Sequence, residues 1–427
     1  MTQINLENSA KNIAVIGAGI IGINCALELQ SLGFQVTLID KSGIGEGCSK
    51  ANAGHFATEQ VFPLAEPNLL WQFPKLLLDP LGPVSLSASY LPKALPWFGR
   101  FMINMLESKR ESNSQALKTL NKNAINYYQP LLKEAKAESL LTLNGSLLIF
   151  ENSADKTIEK QFKHYKDAGV AVILLDRQQT LLLEPNLSQD VKAALYFTDV
   201  GHSADPFEIC KQLAELAFKK GCIFHQSEVL NIGHNDNGVN LTSSKETLIF
   251  DHVVIAGGAW SKTLLEPLGY HLPIEAERGY SLDLPASAKE HQLSRPVASA
   301  ERKFIMTPMA HGLRLAGTVE YAGLNKSANM KRADMLFKNA QHVMTVLPEY
   351  NASTALPSQK WMGHRPSMPD SLPVIGQAPQ HKNIYIALGH QHLGLTQGAI
   401  TGKLIGQLVS KKSTDIDVHP FCISRFN

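Results

Sequence analysis

An α/β fold in two domains is what this sequence predicts, and three observations carry the prediction. The chain opens with a strand, a glycine-rich turn, a helix and a second strand in immediate succession. Residues 275–320 alternate apolar and polar side chains, the period of antiparallel strands. The length, 427 residues, exceeds what one core usually serves, since domains run to roughly 100–200 residues.

The opening unit can be read residue by residue. Asn12–Ile16 (NIAVI) is a short apolar strand, GAGIIG follows, and a helical stretch runs to about Leu32 before Gly33 stops it. Gln35–Asp40 (QVTLID) is the second strand of a β-α-β unit, the start of a Rossmann-like domain. Residues 42–60 are rich in Gly, Ser, Ala and Asn and predict a loop. Residues 61–106 carry prolines at 63, 67, 74, 80, 83, 92 and 96, which leaves short helices and turns in place of one long helix. Residues 113–138 have helical composition, Ser146–Phe150 and Ala193–Phe197 predict strands, and 155–168 predicts a helix between them. A helix is expected from Asp205 to Gly221, a β-branched strand over 251–256, a helix over 331–347, and a closing strand, Gly/His loop and helix over 384–410.

Composition excludes several classes. Hydrophobic residues at 44% and charged residues at 18% fit a large core and argue against disorder. A formal charge of +2 without any basic run gives no footprint for nucleic acid. Cys25, Cys48, Cys210, Cys222 and Cys422 are scattered and form no CxxC pair. No disulfide framework or zinc site is expected, and a reducing, cytoplasmic compartment fits better. Residues 1–11 are polar with no apolar signal core, and no apolar run reaches the ~18 residues of a spanning helix.

Gly17, Gly19 and Gly22 stand in G-x-G-x-x-G spacing. The first glycine permits the tight turn, the second lets a pyrophosphate approach the backbone, and the third lets helix and strand pack closely. The phosphate would sit where helix N–H groups and dipole favour negative charge. Ala18 and Ile21 share that turn, and Asp40, followed by Lys41, ends the second strand where a carboxylate can accept ribose hydroxyls. The acid disfavours a 2′-phosphorylated dinucleotide.

Four further segments give the chain its resemblance. They are Cys48–His55 (CSKANAGH), residues 251–261 (DHVVIAGGAWS), residues 361–376 (WMGHRPSMPDSLPVIG) and residues 389–398 (GHQHLGLTQG). In this order, over nearly the full length, the sequence resembles the FAD-dependent D-amino-acid oxidase/dehydrogenase superfamily, and most closely its bacterial D-amino-acid dehydrogenases. The resemblance implies a Rossmann-like FAD-binding domain of GR2/DAO type interleaved with an α+β substrate domain on a mixed, largely antiparallel sheet. Its boundaries would be 1–60, 200–263 and 356–427 for the first, and 61–199 and 264–355 for the second.

The same resemblance assigns residues. Ser49, Asn52, Ala53 and Gly54 would wrap the pyrophosphate and one edge of the flavin ring. Val229 would meet adenine, and Gly257, Gly258 and Trp260 would form the second dinucleotide contact. Gly394, Leu395 and Thr396, at the start of the last helix, would face the flavin edge that becomes negative on reduction. Arg365 would grip the substrate carboxylate, because a guanidinium fork matches a carboxylate bidentately. Tyr280 lies in an R-G-Y segment expected at the active-site wall, and His55, His390 or Tyr280 could take the amine proton. His390 and His392 lack the neighbours of a metal site, so no metal is expected. Cysteine is absent between Cys222 and Cys422 and Ala51 is not histidine, so FAD would be held non-covalently. Arg314 stands near the place where sarcosine-type oxidases carry an oxygen-activating lysine, which leans toward a dehydrogenase.

The implied reaction is oxidative deamination of a D-amino acid to a 2-keto acid and ammonia, with hydride passing from the α-carbon to FAD N5. D-proline or hydroxy-D-proline dehydrogenation and glycine/sarcosine-type amine oxidation are the alternatives. A quinone or other acceptor would then take the electrons. Residues 69–106 interleave Leu, Trp, Phe and Met with Lys75, Lys93 and Arg100, a pattern suited either to a lid or to peripheral contact with the inner face of the cytoplasmic membrane.

Overall fold

The opening strand Asn12–Ile16 shows why the first domain is layered. Its side chains alternate between two cores: Ile13 and Val15 enter one apolar cluster, Ala14 and Ile16 the other. A strand buried on both faces must have cover on both, and the chain supplies it. The computed structural model describes residues 11–67, 81–235 and 238–426. In it, helices Ile20–Ser31, Pro206–Lys219 and Gly394–Val409 cover the first face. The second is covered by a three-stranded antiparallel meander, Val229–Asn235, Gly238–Ser243 and Thr247–Phe250.

The central sheet has six strands. Asn12–Ile16 lies between Gln35–Asp40 and His252–Ile255, parallel to both. Strand order therefore reverses at the carboxyl end of Asn12–Ile16, and that switch point opens the crevice where an α/β sheet takes its ligand. Ile223–Gln226 pairs beyond Gln35–Asp40, and His381–Leu388 and Val374–Ala378 complete the other side. The first and last long helices press together because Gly402 lacks a side chain: a Cβ there would stand 2.5 Å from the carbonyl oxygen of Asn24.

The second sheet has nine strands and is mostly antiparallel. Glu275–Pro285 runs between Gly312–Tyr321 and Lys360–Ser367. One face carries Leu282, Leu284, Leu313 and Leu315 against Leu336 and Ala340 of the helix Lys331–Val343. The opposite face carries Glu277, Gly279 and Asp283, and it fronts the crevice. Two placements differ from the expected segment boundaries. The strand Lys360–Ser367 belongs to this large sheet although it lies within 356–427. The helices Glu107–Asn121 and Ala124–Glu134 pack Leu117, Leu120, Tyr128 and Leu132 into the first domain's core although they lie within 61–199.

The proline-rich region forms the short strand Val84–Leu86, a 3-10 turn and the helix Leu91–Ile103. Pro92 sits near that helix's start, where its missing N–H costs nothing, and Pro96 is accommodated inside it. Residues 69–80 of the expected lid or membrane segment lie outside the described residues. Among the described residues no helix is long and apolar enough to cross a membrane.

Candidate active site

The crevice is built first from backbone. Gly17 has φ +109° and packs so closely that a Cβ would meet the carbonyl oxygen of Ala256 at 2.4 Å. A Cβ on Gly22 would lie 1.8 Å from the oxygen of Gly17. Gly19 differs: its nearest neighbour would be the Ser49 hydroxyl at an ordinary 3.4 Å. Two of the three glycines thus serve the protein's own packing, and the middle one leaves open space at the N-terminus of the helix Ile20–Ser31.

Side chains from three segments converge on that space. The Ser49 hydroxyl accepts the Ile20 N–H at 3.0 Å. Asp40 accepts the N–H groups of Ala18 at 2.9 Å, Ser42 at 2.7 Å and Gly43 at 3.2 Å. This fixes the carboxylate at the strand's end while it stays partly exposed. Beside it, the Lys41 ammonium lies 4.8 Å from the centre of the Trp260 ring and 3.2 Å from Glu228, next to Val229 at the start of its strand. Gly258 has φ +57° and open space around it, next to Gly257 at the end of the neighbouring strand. Ile21 is half-buried against the first core.

The loop after Asp40 is pinned along its length. The Cys48 thiol donates to the His364 carbonyl. Asn52 accepts the Gly54 N–H at 2.9 Å through its side chain, and its carbonyl accepts Arg314 Nη1 at 2.8 Å. Gly54 has φ +72°, and a Cβ there would strike the Ser203 carbonyl oxygen at 2.4 Å. Ala53 is half-buried between these anchors. Thr396, beside Leu395 and Gly394 in the first turn of the last helix, accepts the Ala57 N–H at 2.9 Å. The helix start is thereby tied to the same loop.

The second wall is the Glu277 face of the large sheet. Arg365 and Glu277 are direct cross-strand partners, with Nη1 donating to Glu277 Oε1 at 3.0 Å. The guanidinium lies over Gly279, where a Cβ would meet Cζ and Nη2 at 2.4 Å. Any larger residue at 279 would displace it. Arg365 makes no other hydrogen bond with the described residues, so its Nε–Nη2 edge is available, and its side chain keeps 24% exposure. That edge carries two parallel N–H groups, the pair that grips a carboxylate side-on.

His392 is half-buried, and desolvation pushes its imidazole down to about 4, with Arg365 pushing the same way and Glu277 opposing. It is therefore a neutral ring at pH 7. His55 lies close by and stands 3.6 Å from Glu59, with a buried Nε2 that has no hydrogen-bond partner among the described residues.

Two expected acid–base groups are corrected by these placements. Tyr280 is on the other face of its strand, because side chains alternate and Gly279 takes the crevice side. Its hydroxyl donates to Glu320 at 2.6 Å and accepts the Asn329 N–H at 3.1 Å, and burial, with that bond to Glu320, pushes it up to about 12. His390 shares a 2.9 Å hydrogen bond with Thr401 inside the last helix, and burial alone pushes it down to about 3. His392, two residues on, is the histidine that feels the Arg365 charge. Glu277 and His392 escaped sequence reasoning. The alternation of 275–285 was a usable signal for Glu277, since it puts Glu277 beside Gly279 and Arg278 beside Tyr280.

The arrangement suits a dinucleotide-dependent enzyme: a glycine-rich turn and helix start at a sheet switch point stand with a guanidinium that is paired on one edge to Glu277. The residues around Gly19 fit the adenine–pyrophosphate half of FAD, with a helix start at which Gly19 offers no side-chain cap, an anchored terminal carboxylate and space that a side chain would fill. The chain belongs to the DAO family of FAD-dependent oxidoreductases, whose family model matches residues 12–408. It is 34% identical over 421 residues to a D-amino-acid oxidase of Bradyrhizobium diazoefficiens, covering 97% of this chain and 99% of that one. It is 28% identical over 428 residues to a D-amino acid dehydrogenase of Vibrio atlanticus, with 97% and 99% covered. Among solved structures, glycine oxidase from Geobacillus kaustophilus superposes with a TM-score of 0.72 at 22% identity, over 97% of this chain and 99% of its own. L-proline dehydrogenase from P. horikoshii superposes with a TM-score of 0.71 at 19% identity, over 98% of each chain. These two likenesses show the shared fold.

Proposed function

We propose that this protein oxidises the Cα–N bond of D-amino acids with a non-covalently held FAD and passes the electrons to a quinone or similar acceptor. The observation that carries the reading is Arg365, fixed by Glu277 over Gly279, with Nε and Nη2 making no hydrogen bond among the described residues. The names of the two curated relatives support an amino-acid substrate of D configuration. When bound, FAD supplies the hydride acceptor.

The chain's own residues do the rest. Arg365 takes the α-carboxylate and so fixes the α-carbon against the crevice. An amino acid arrives as an ammonium, and its proton must leave before the lone pair can assist C–H cleavage. His55 receives it: its Nε2 is buried, has no hydrogen-bond partner among the described residues, and has Glu59 beside it. Neutral His392 adds no second cation beside Arg365. The imine leaves and hydrolyses in water to keto acid and ammonia. Cofactor contacts fall to Gly17, Ala18, Gly19, Ile21, Gly22, Asp40, Lys41, Ser49, Asn52, Ala53, Gly54, Val229, Gly257, Gly258, Trp260, Gly394, Leu395 and Thr396.

Dehydrogenase chemistry is favoured by Arg314. Both Nε and Nη2 are held by Asp283 at 2.7 Å and Nη1 by Asn52, so this cation has no free edge for oxygen. Peripheral membrane contact is favoured by the helix Leu91–Ile103. Its inner face buries Trp97, Phe98 and Phe101, while Leu95, Met102 and Ile103 are more than half exposed beside Lys93 and Arg100.

The test is anaerobic addition of D- and L-amino acids to the purified yellow protein. Bleaching by D-enantiomers alone, FAD released by acid precipitation, and turnover with a quinone analogue far above peroxide formation are expected. Bleaching by L-enantiomers only, or peroxide matching turnover in air, would refute the reading.

A further inference from the structure

Glu59 is a buried carboxyl group without a lysine or arginine partner among the described residues. It is 3% exposed, and its Oε2 has no hydrogen-bond partner there. Its ion-pairing neighbour is the His55 ring, whose Nε2 stands 3.6 Å from Oε1, and the Gln60 amide donates to the same oxygen at 3.3 Å. A carboxylate so placed is costly unless a cation or a proton balances it. The loop nevertheless holds it inward from both sides. The Thr58 hydroxyl donates to the Asp199 carbonyl at 2.8 Å, Asn121 donates to the Gln60 carbonyl at 2.8 Å, and Ser114 to the Val61 carbonyl at 2.7 Å. Phe62 then stacks on His164 with ring centres 3.8 Å apart.

The groups around the pair do not supply the missing positive charge. His202 lies opposite His55 where the short strands His55–Phe56 and Gly201–His202 pair. It is pushed down to about 4, first by burial and then by His55 and Arg295, and is neutral at pH 7. Arg295 is itself held by Glu184 at 3.0 Å. The Tyr165 hydroxyl is pushed up by burial and then by Glu59 and Glu66, so it keeps its proton, and Glu66 is exposed. His392 is neutral as well, and it feels the charges of both Arg365 and His55. With Glu59 ionised, the His55–Glu59 pair carries one negative charge while the ring is neutral and none once the ring takes up a proton.

We propose that Glu59 is the counter-charge for the substrate's amino group: it draws the ammonium towards His55 and then holds the proton on that ring as a carboxylate–imidazolium pair. The inference rests on the reading of Arg365 as carboxylate anchor and His55 as proton acceptor. A zwitterionic amino acid then meets one guanidinium and one carboxylate, each matching one of its ends. In the proton transfer an N–H bond of the ammonium breaks, its electron pair stays on nitrogen, and the proton bonds to His55 Nε2. That new N–H faces Glu59 Oε1, and a closure of roughly 0.8 Å from 3.6 Å makes a charge-assisted hydrogen bond. Glu59 acts through His55 and is a positioning residue.

The experiment compares two ligands on the FAD-loaded protein by calorimetry. Acetate carries the carboxylate alone; α-aminoisobutyrate adds the ammonium and has no α-hydrogen to lose. Glu59→Gln should weaken α-aminoisobutyrate at least about fivefold and acetate less than about twofold. In parallel, the limiting rate of anaerobic flavin reduction by D-alanine is followed against pH. Glu59→Gln should move the acid limb to lower pH by at least about half a unit, because the ring loses the charge that favours its protonated form. The plateau should fall at least about tenfold, since a weaker base takes the proton less readily. Glu59→Asp keeps the charge and should restore part of both. Glu66→Gln removes an exposed carboxylate and should leave both as they are. Equal weakening of the two ligands by Glu59→Gln overturns the proposal. So does an unmoved limb, or a limb that Glu66→Gln moves as far. Acetate binding that survives Arg365→Ala overturns the anchor and the proposal with it, and so does an acid limb that survives His55→Gln for the proton acceptor. Loss of acetate binding in Arg365→Ala and of the limb in His55→Gln, with no effect of Glu59→Gln, leaves both readings standing and overturns the proposal alone.

Discussion

The two walls of the crevice are made differently. The cofactor wall is mostly backbone: three glycines, a helix start, and carboxylate and hydroxyl groups bonded to nearby N–H groups. Its parts come from short, contiguous stretches. The proposed substrate wall is made of side chains that meet only because three strands pair in a particular register, Tyr321 with Glu277 and Glu277 with Arg365. A one-residue slip in that register would turn Arg365 to the helix-packed face and remove the anchor. The cofactor wall is thus robust to distant change, and the substrate wall depends on pairing between segments far apart in sequence.

The largest effect expected from breaking this comparison is at the cradle, and it differs between its own glycines. Gly22→Ala forces a Cβ into the Gly17 carbonyl, backbone against backbone, and should destabilise the fold by about 1–3 kcal/mol or more. The Cβ of Gly19→Val would meet only the Ser49 hydroxyl, at 3.4 Å. This variant should fold with a melting temperature near that of the apoprotein and yet purify colourless, because the side chain occupies the phosphate's space. Thermal melts of both variants stripped of FAD, alongside their flavin absorbance, make the check. A Gly19→Val protein that retains full yellow colour would remove the phosphate from this position.

At Arg365 the expected loss falls mainly on activity. Arg365→Ala should keep its FAD and lose at least about tenfold to a hundredfold in kcat/KM, the equivalent of ~1.5–3 kcal/mol for a charge-assisted contact. Glu277 is then left buried without its cation, so a modest drop in melting temperature should accompany the loss. Arg365→Lys should recover part of the stability and little of the activity, since an ammonium can answer Glu277 but cannot present a fork. Full activity in either variant would move the carboxylate anchor elsewhere.

The same contrast explains what the sequence made legible. The G-x-G-x-x-G turn, Asp40 and the Cys48–His55 loop are local, and local spacing reports local geometry. Strand and helix types also followed from periodicity, with Ser146–Phe150 and Ala193–Phe197 at their expected bounds. Glu277 was hidden because its importance is a cross-strand pairing over 88 positions. Tyr280 was misplaced because an R-G-Y segment gives no face until one knows which side Gly279 must clear for Arg365. His390 and His392 are alike in sequence, and only the turn into the last helix sends one to Thr401 and leaves the other within the field of Arg365. The chemistry of the proline-rich stretch is divided in the same way: the composition of Leu91–Ile103 shows apolar residues, and only the fold sorts Trp97 inward and Leu95 outward.

The last expected effect concerns pH, and it bears on the comparison because the buried histidines come from more than one part of the crevice. His392 and His202 are pushed down from 6.5 to about 4, and His390, in the loop that leads into the last helix, to about 3, each chiefly by burial. In the unfolded chain these rings take up protons near pH 6.5, while in the folded protein they resist protonation until pH is far lower. Between about 6.5 and 4 the unfolded state therefore binds more protons, and stability falls as pH falls through that window. Above 6.5 both states are neutral and the term vanishes. Each ring contributes a slope of at most about 1.4 kcal/mol per pH unit. Denaturant melts at pH 7, 6 and 5 should show the decline, and His392→Gln should flatten it by one ring's share without altering stability at pH 7.5 relative to its own plateau. His202→Gln should act alike, because burial and not the catalytic arrangement is the main cause in both. A slope that neither substitution changes would mean that these rings are not the groups whose protonation unfolds the protein.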